Sequence, residues 1–301
     1  MIRIFGILVV CGSLLGLFSP LITPLFLPHQ LTLAWLFDLA SHWQWLYMLL
    51  LVLGLLLLAP KNKAWLVSGL ALALPFFTAS PVLKTATSSN HSLKVLSSNV
   101  HFSNPDLTQL KALATQQNPD VIVICEYTPQ HTAFVKAWKD YPYQLLNPAD
   151  HPFGMAILSR TPFSQPETLQ DSLGIQYLSV QLEYQQQAIK LIGFHPQPPM
   201  TKEQHPVRDQ ILRQFTSSHH QPTLIVGDFN ATPWSTAFTG LAERGFYRTL
   251  NLLPTWPTKF QGFMGIPIDQ LVASSQWKVV SAKVYPSIGS DHYPIIVELS
   301  L

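Results

Sequence analysis

Hydrophobic and polar positions divide the 301-residue chain into two regimes. Residues 4–28 contain no charged side chain, a run longer than the roughly 20 residues needed to cross a hydrocarbon core of about 30 Å. A second uncharged run covers residues 43–60, opening on Trp43, Trp45 and Tyr47 as an interfacial aromatic belt would. A third, over residues 64–79, is shorter and carries Pro75. The pattern predicts a transmembrane region over residues 1–80 with helices at 4–27, 43–60 and 64–79, or two spans if the weakest run does not cross. A cleaved signal peptide fits less well, because Pro24-Leu25-Phe26-Leu27-Pro28 prolongs the apolar run where a small-residue cleavage site should stand.

After residue 80 the period changes. Residues 81–92 are small and polar, with Thr85, Thr87, Ser88, Ser89 and Asn90, and read as a linker. The remaining body, residues 93–301, carries short β-branched runs at 93–100, 121–125, 155–158, 177–182, 189–194, 223–226 and 294–299, each with turn punctuation. Helical patterns at 107–117 and 207–217 fall between some of them. Consecutive strands without an intervening helix between Met155 and Phe194 point to an α/β (α+β) body of packed sheets rather than a doubly wound sheet.

Composition sharpens this division. Hydrophobic residues make up 48% of the chain and charged residues 11%, which excludes a disordered polypeptide. Residues 1–80 hold only Arg3, Asp38, Lys61 and Lys63 as charged side chains. Residues 85–301 hold 14 Lys and Arg against 15 Asp and Glu, a net charge of −1, so no basic nucleic-acid surface is advertised. Arg3 precedes the first apolar run and Lys61 and Lys63 follow the second, while the intervening loop at about 29–42 has no cation. The positive-inside rule then predicts a multi-pass inner or plasma membrane protein whose domain after residue 80 is periplasmic or extracellular. Cys11 and Cys125 sit in an apolar run and a strand, and no disulfide is expected.

Polar residues at strand ends carry the candidate chemistry: Asn99, Glu126, His195, Asp228, Asn230, Asp269, Asp291 and His292. Side chains emerging from adjacent strand ends can converge on one pocket. Carboxylate and amide oxygens suit a hard cation such as Mg²⁺ or Mn²⁺. Singly, each has a structural explanation; Asn99 can cap a turn, and Asp228-Phe229-Asn230 can form an Asx turn. His101, His131, His151, His205, His219 and His220 are assigned to surface or structure.

The local wording, in order, is Ser98-Asn99-Val100, Cys125-Glu126, Gly154-Met155-Ala156-Ile157-Leu158-Ser159-Arg160, Phe194-His195-Pro196, Gly227-Asp228-Phe229-Asn230, Ile268-Asp269 and Ser290-Asp291-His292-Tyr293-Pro294. This resembles the endonuclease/exonuclease/phosphatase superfamily over about residues 93–300. The resemblance implies a four-layer sandwich of two β-sheets flanked by helices. It also implies Glu126 as the main metal-binding carboxylate, Asn99 as a metal-side ligand or hydrogen-bond partner, and Asp291 beside the metal. Asp228 and Asn230 match groups that orient water and bind phosphate, His195 matches a phosphate contact, and Asp269 and His292 match an Asp-His pair. His101 departs from the acidic or amide residue many relatives carry there, which puts a second metal position in question.

The resulting expectation is a membrane-anchored, divalent-metal-dependent phosphoester hydrolase, a phosphodiesterase acting by in-line attack of water on a lipid headgroup, inositol phosphate or nucleic acid. His292 acts as a base or as a cationic clamp, and Arg160, Arg208 and Arg213 either meet a second phosphate or are surface cations. Two alternatives stand beside it, a tethered nuclease and a non-catalytic membrane-associated binding protein. A transporter is disfavoured, because the apolar runs contain no charged residue to line a pathway.

Overall fold

The computed structural model describes residues 2–27, 29–58, 67–86, 91–217 and 221–301. The amino-terminal region contains α1 (Ile2–Phe26), α2 (Leu31–Ser41) and α3 (Gln44–Leu58), then a 3₁₀ turn (Gly69–Ala73) leading into α4 (Leu74–Thr78). α1 and α3 run antiparallel, with Leu58 beside Gly6 and Val10 beside Gly54. Glycine permits this approach: a Cβ at Gly54 would meet Val10 at 2.8 Å, and one at Gly16 would meet the Tyr47 ring at 2.5 Å.

Among the described residues, α1 is the one helix long and apolar enough to cross a membrane, and α2 with α3 would add a second only if that bent pair is one span. The three expected spans therefore appear differently. The run at 43–60 gives a helix of 15 residues, about 22 Å at 1.5 Å per residue. The described part of the run at 64–79 is the short 3₁₀ turn and α4, while Lys61 and Lys63, on which the expected orientation leaned, lie outside the described residues. The stretch expected as a loop at 29–42 is largely α2, which meets α3 at a bend of 72°. Its sequence has neither Gly nor Pro, and it buries Ala34, Asp38 and Ser41 along one helical face.

The body opens with β1 (Leu93–Asn99), α5 (Thr108–Gln117), β2 (Val121–Cys125), α6 (Pro129–Lys136), β3 (Tyr143–Asn147) and β4 (Met155–Ser159). β5 (Phe163–Gln170), β6 (Gln176–Tyr184), β7 (Gln187–Gly193), α7 (Gln204–Phe215) and β8 (Thr223–Asp228) follow. β9 (Phe246–Arg248), β10 (Asp269–Ser274), β11 (Lys278–Val284) and β12 (Ile295–Ser300) close the chain. The strands form two six-stranded sheets, ordered β11-β12-β1-β2-β4-β3 and β5-β6-β7-β8-β10-β9. Each sheet has one parallel pair at its centre, β1 with β2 and β7 with β8; the other pairs are antiparallel.

Strand alternation sorts side chains into layers. In β2, Val121, Val123 and Cys125 join Val95, Met155, Val180, Leu191, Val226 and Leu271 between the sheets. Ile122 and Ile124 face the other way, against Leu110 and Leu113 of α5, Val135 of α6, and Trp138. On the far sheet, Ile192 and Ile225 pack against Ile211 and Leu212 of α7. The result is the expected four layers, with a core on each side of both sheets. Cys11 and Cys125 are free.

Candidate active site

Topology brings the polar strand ends together. The carboxyl ends of the parallel pairs lie at one edge, where Asn99 ends β1, Glu126 follows β2, His195 follows β7 and Asp228 ends β8. Antiparallel neighbours present their starts at the same edge. Asp269 opens β10 directly opposite Asp228, and Asp291 and His292 precede β12, the partner of β1. Gly227 has φ +148°, and a Cβ there would meet the Phe194 carbonyl oxygen at 2.2 Å, so only glycine lets β8 approach β7 this closely. Glu126 and Asn230 both hold left-handed backbone, at φ +61° and +47°. Such conformations persist in non-glycine residues where surrounding contacts enforce them.

Asp228 is the hub. Its Oδ2 accepts from Asn99 Nδ2 at 3.1 Å and faces the Nε2 atoms of His195 at 3.5 Å and His292 at 3.7 Å. Its Oδ1 accepts from the Asn230 backbone N–H at 2.9 Å, and the Asn230 amide donates to the Pro196 carbonyl at 2.9 Å. Burial alone would raise the Asp228 pKa, but the His292 charge and the His195 contact outweigh it and hold the carboxyl at about 2. His292 Nδ1 lies 2.8 Å from Asp269 Oδ2. Burial would lower the imidazole, yet Asp269 and Asp228 lift it to about 10. Burial also raises Asp269. The pair therefore holds its proton tightly, and with two carboxylates facing one ring, His292 carries it.

Asn99 acts as a bridge. Its amide nitrogen donates to Glu126 Oε1 at 2.9 Å as well as to Asp228, while its oxygen accepts from the His101 N–H at 3.0 Å. That backbone donor fixes which end of the amide is oxygen. Glu126 Oε2 accepts from the Phe102 N–H at 2.6 Å, and Asp291 Oδ2 accepts from Trp256 Nε1 at 3.0 Å. Asp291 Oδ1 is buried and has no hydrogen-bond partner. An anionic oxygen left bare in a cleft beside a second carboxylate suits a hard cation, so Glu126 and Asp291 fit Mg²⁺ or Mn²⁺. Asp228, Asp269 and His292 also cluster within metal-ligand reach of one another.

A cleft of about 480 Å³ is lined by Glu126, His195, Asp228, Asn230, Asp291 and His292. The rest of its wall is largely apolar: Phe102, Phe153, Pro198, Pro199, Met200, Trp256 and Ile266, with His101 between them. Among the described residues, no Lys or Arg lines it. Leu39, His42 and Trp43, from the end of α2 and the bend that follows, also form part of this wall. Sequence reasoning missed these three residues; the signal available was Asp38, the sole acidic residue of residues 1–80.

Asp38 is fully buried, and the Arg208 guanidinium meets it at 2.8 Å. Arg208 is thus neither a phosphate ligand nor a surface cation. Arg160 is also structural, donating to the Pro119 carbonyl at 2.9 Å and stacking on Tyr141, whereas Arg213 is exposed. His131 caps α6 and His205 is buried beside Asp38. His219 and His220 lie outside the described residues.

Comparisons with known proteins place the fold. The sequence profile of the Endonuclease/Exonuclease/phosphatase family matches residues 96–292. No curated protein matches the sequence. Among solved structures, an endonuclease/exonuclease/phosphatase from Beutenbergia cavernae aligns with a TM-score of 0.59 at 18% identity, covering 70% of this chain and 72% of that one. TDP2 from D. rerio, complexed with a single-stranded DNA product, aligns with a TM-score of 0.57 at 16% identity, over 70% of this chain and all (100%) of that one. The human Nocturnin catalytic domain with bound sulfate gives 0.52 at 14% identity, over 69% and 93%. These likenesses extend the fold already described, and the profile match spans both sheets and every polar strand end from Asn99 to His292, so the chain belongs to the Endonuclease/Exonuclease/phosphatase family.

Proposed function

We propose that this chain is a membrane-anchored hydrolase of phosphodiesters that carry an apolar group, with lipid headgroup esters as the substrate class. The observation that carries this reading is Asp228: two imidazoles and an amide face one of its oxygens, in a cleft that also holds two carboxylates suited to a cation and otherwise has apolar walls. A polynucleotide would bring further phosphates to those walls, and among the described residues no Lys or Arg lines them to receive one.

A hard divalent cation held by Glu126 and Asp291 would supply charge neutralisation at the phosphoryl oxygens. Asp228, held ionised, orients the attacking water in line with the leaving group and takes its proton as the new P–O bond forms, the proton passing to the leaving oxygen as the old bond breaks. Cationic His292, held in orientation by Asp269, donates to a phosphoryl oxygen, and this favours the clamp over the base among its two expected roles. His195, on the opposite side of Asp228, and the Asn230 amide complete the phosphate cradle. Asn99 keeps the Glu126 and Asp228 carboxylates at a fixed separation.

The body contacts the end of the helical region away from Arg3, since Trp45 at the start of α3 packs on Trp234 while Leu58 at its far end lies beside Gly6. With Arg3 cytoplasmic, the catalytic body lies on the opposite side of the membrane. The test uses full-length protein in detergent micelles with Mg²⁺, comparing phospholipid, inositol phosphate and DNA substrates, with Glu126→Ala as control. Metal-dependent cleavage of the lipid ester, lost in the variant, is expected. Cleavage of DNA alone would make the chain a tethered nuclease. Silence on all three from a folded protein would favour the binding-protein reading.

A further inference from the structure

α2 does more than border the cleft. Asp38 accepts at Oδ1 from the Thr236 N–H at 2.7 Å and at Oδ2 from Arg208 Nη2 at 2.8 Å. Arg208 in turn donates through Nη1 to the Asn230 carbonyl at 3.1 Å, and its Nε and Nη2 also donate to Asp209 and Ser235. Four residues further along α2's direction, His42 Nδ1 lies 2.9 Å from Thr232 Oγ1. The segment after β8, residues 230–236, is therefore gripped at its start, middle and end by groups from, or organised by, the amino-terminal region. Asn230 needs such a grip, because its left-handed backbone is intrinsically unfavourable and its N–H must point at Asp228 Oδ1. Arg208 is 1% exposed and Asp38 is 0% exposed, so this pairing is made away from solvent and its geometry is set by the packed surroundings.

We infer that Asp38 is a positioning residue of the active site: through Arg208 it sets the Asn230 backbone and hence the orientation of Asp228, making the membrane-proximal helix α2 an integral part of the catalytic unit. This rests on the hydrolase reading above for its kinetic consequence and on the hydrogen-bond chain alone for its structural one. It assigns the lone acid of the amino-terminal region a role that neither a membrane anchor nor a soluble family domain requires. It also explains why the residue is Asp, since the carboxylate must receive a guanidinium at one oxygen and a backbone N–H at the other.

Two measurements on the full chain separate the outcomes. Asp38→Asn should lower kcat by about tenfold to a hundredfold with KM within about twofold, the signature of misplacement at the reacting centre. In an Arg208→Lys background the same substitution should add no further loss, because Asp38 reaches the Asn230 backbone only through the Arg208 fork. Equal proportional losses in both backgrounds, or unchanged kcat, would overturn the proposal. Hydrogen exchange supplies a readout independent of activity: amides of residues 228–236 should exchange faster in Asp38→Asn, with β1 and β12 unchanged. Unchanged protection of that segment would refute the role even if every tested phosphoester proves inert, a result that by itself would count only against the hydrolase reading. Should Asp38→Asn fail to fold, Arg208→Lys keeps a buried cation beside Asp38 and Asp209 without the planar fork that reaches Asn230, and the same kinetic and exchange effects are expected.

Discussion

Asp228 receives its neighbours from four separate segments, and the chemistry depends on which of them carries a proton. His292 sits between Asp269 and Asp228, and its pKa, raised to about 10, keeps the ring cationic at neutral pH. A group required in its protonated form gives activity that is full at lower pH and falls as pH rises through that value. Asp269→Asn removes the carboxylate that most strongly raises the imidazole, so the alkaline limb of the kcat/KM profile should move toward neutral pH. A limb left in place would assign it to another group. The sign for stability is the same: a raised imidazole stabilises the fold fully below its unfolded value of about 6.5 and ceases to do so as pH passes about 10. At this scale the sequence was informative where residues sat beside strand ends in a familiar local wording, as with Glu126, Asp228 and His292. It was silent on Asp38 and on Trp256, which donates to Asp291, because each meets its partner only through tertiary packing.

Elements repeat the lesson in another form. β2 and β8 were legible as short apolar runs because both of their faces are buried. β5 was not, since it is a largely exposed edge strand interrupted by a register shift and containing Pro166, features that erase the alternating pattern. α2 was read as a loop because it falls between two uncharged runs, whereas it is a helix that buries its one charged residue against the body. The seam between α1 and α3 supplies a test that owes nothing to catalysis. Gly16→Leu would place a side chain where Tyr47 already stands, 2.5 Å from the position of the first added atom. Destabilisation of about 1–3 kcal/mol is expected from such overpacking, read as a lower thermal midpoint of the full chain in detergent. An unchanged midpoint would mean that the two helices do not pack through this seam in the membrane.

At the scale of the whole molecule, the amino-terminal region and the body share a polar interface as well as a cleft. Trp35 donates to the Pro199 carbonyl and Trp234 to the Pro75 carbonyl, both at 2.8 Å, on either side of the Asp38–Arg208 pair. A fragment of residues 91–301 would keep Arg208 with Asp209 but lose Asp38, and would expose Trp234 and the cleft wall that Leu39 and Trp43 complete. The fragment should therefore unfold at lower denaturant concentration than the body within the full chain, and hydrolyse substrate more slowly per folded molecule. Equal stability and equal turnover would reduce the helices to a tether.

The 170 residues between Asp38 and Arg208 also impose an order in time. At synthesis rates of about 5–20 residues per second, the carboxylate is made roughly 8–34 seconds before its guanidinium. Through that interval it must remain where water can solvate it, since an ionised carboxylate is costly in hydrocarbon. If the amino-terminal helices anchor the chain as proposed, a helix of 11 residues turned 72° from the one that follows would wait at the membrane surface in a way that a continuous span could not. On that reading the bend between α2 and α3 would hold the acid at the water boundary until the domain that buries it has been translated.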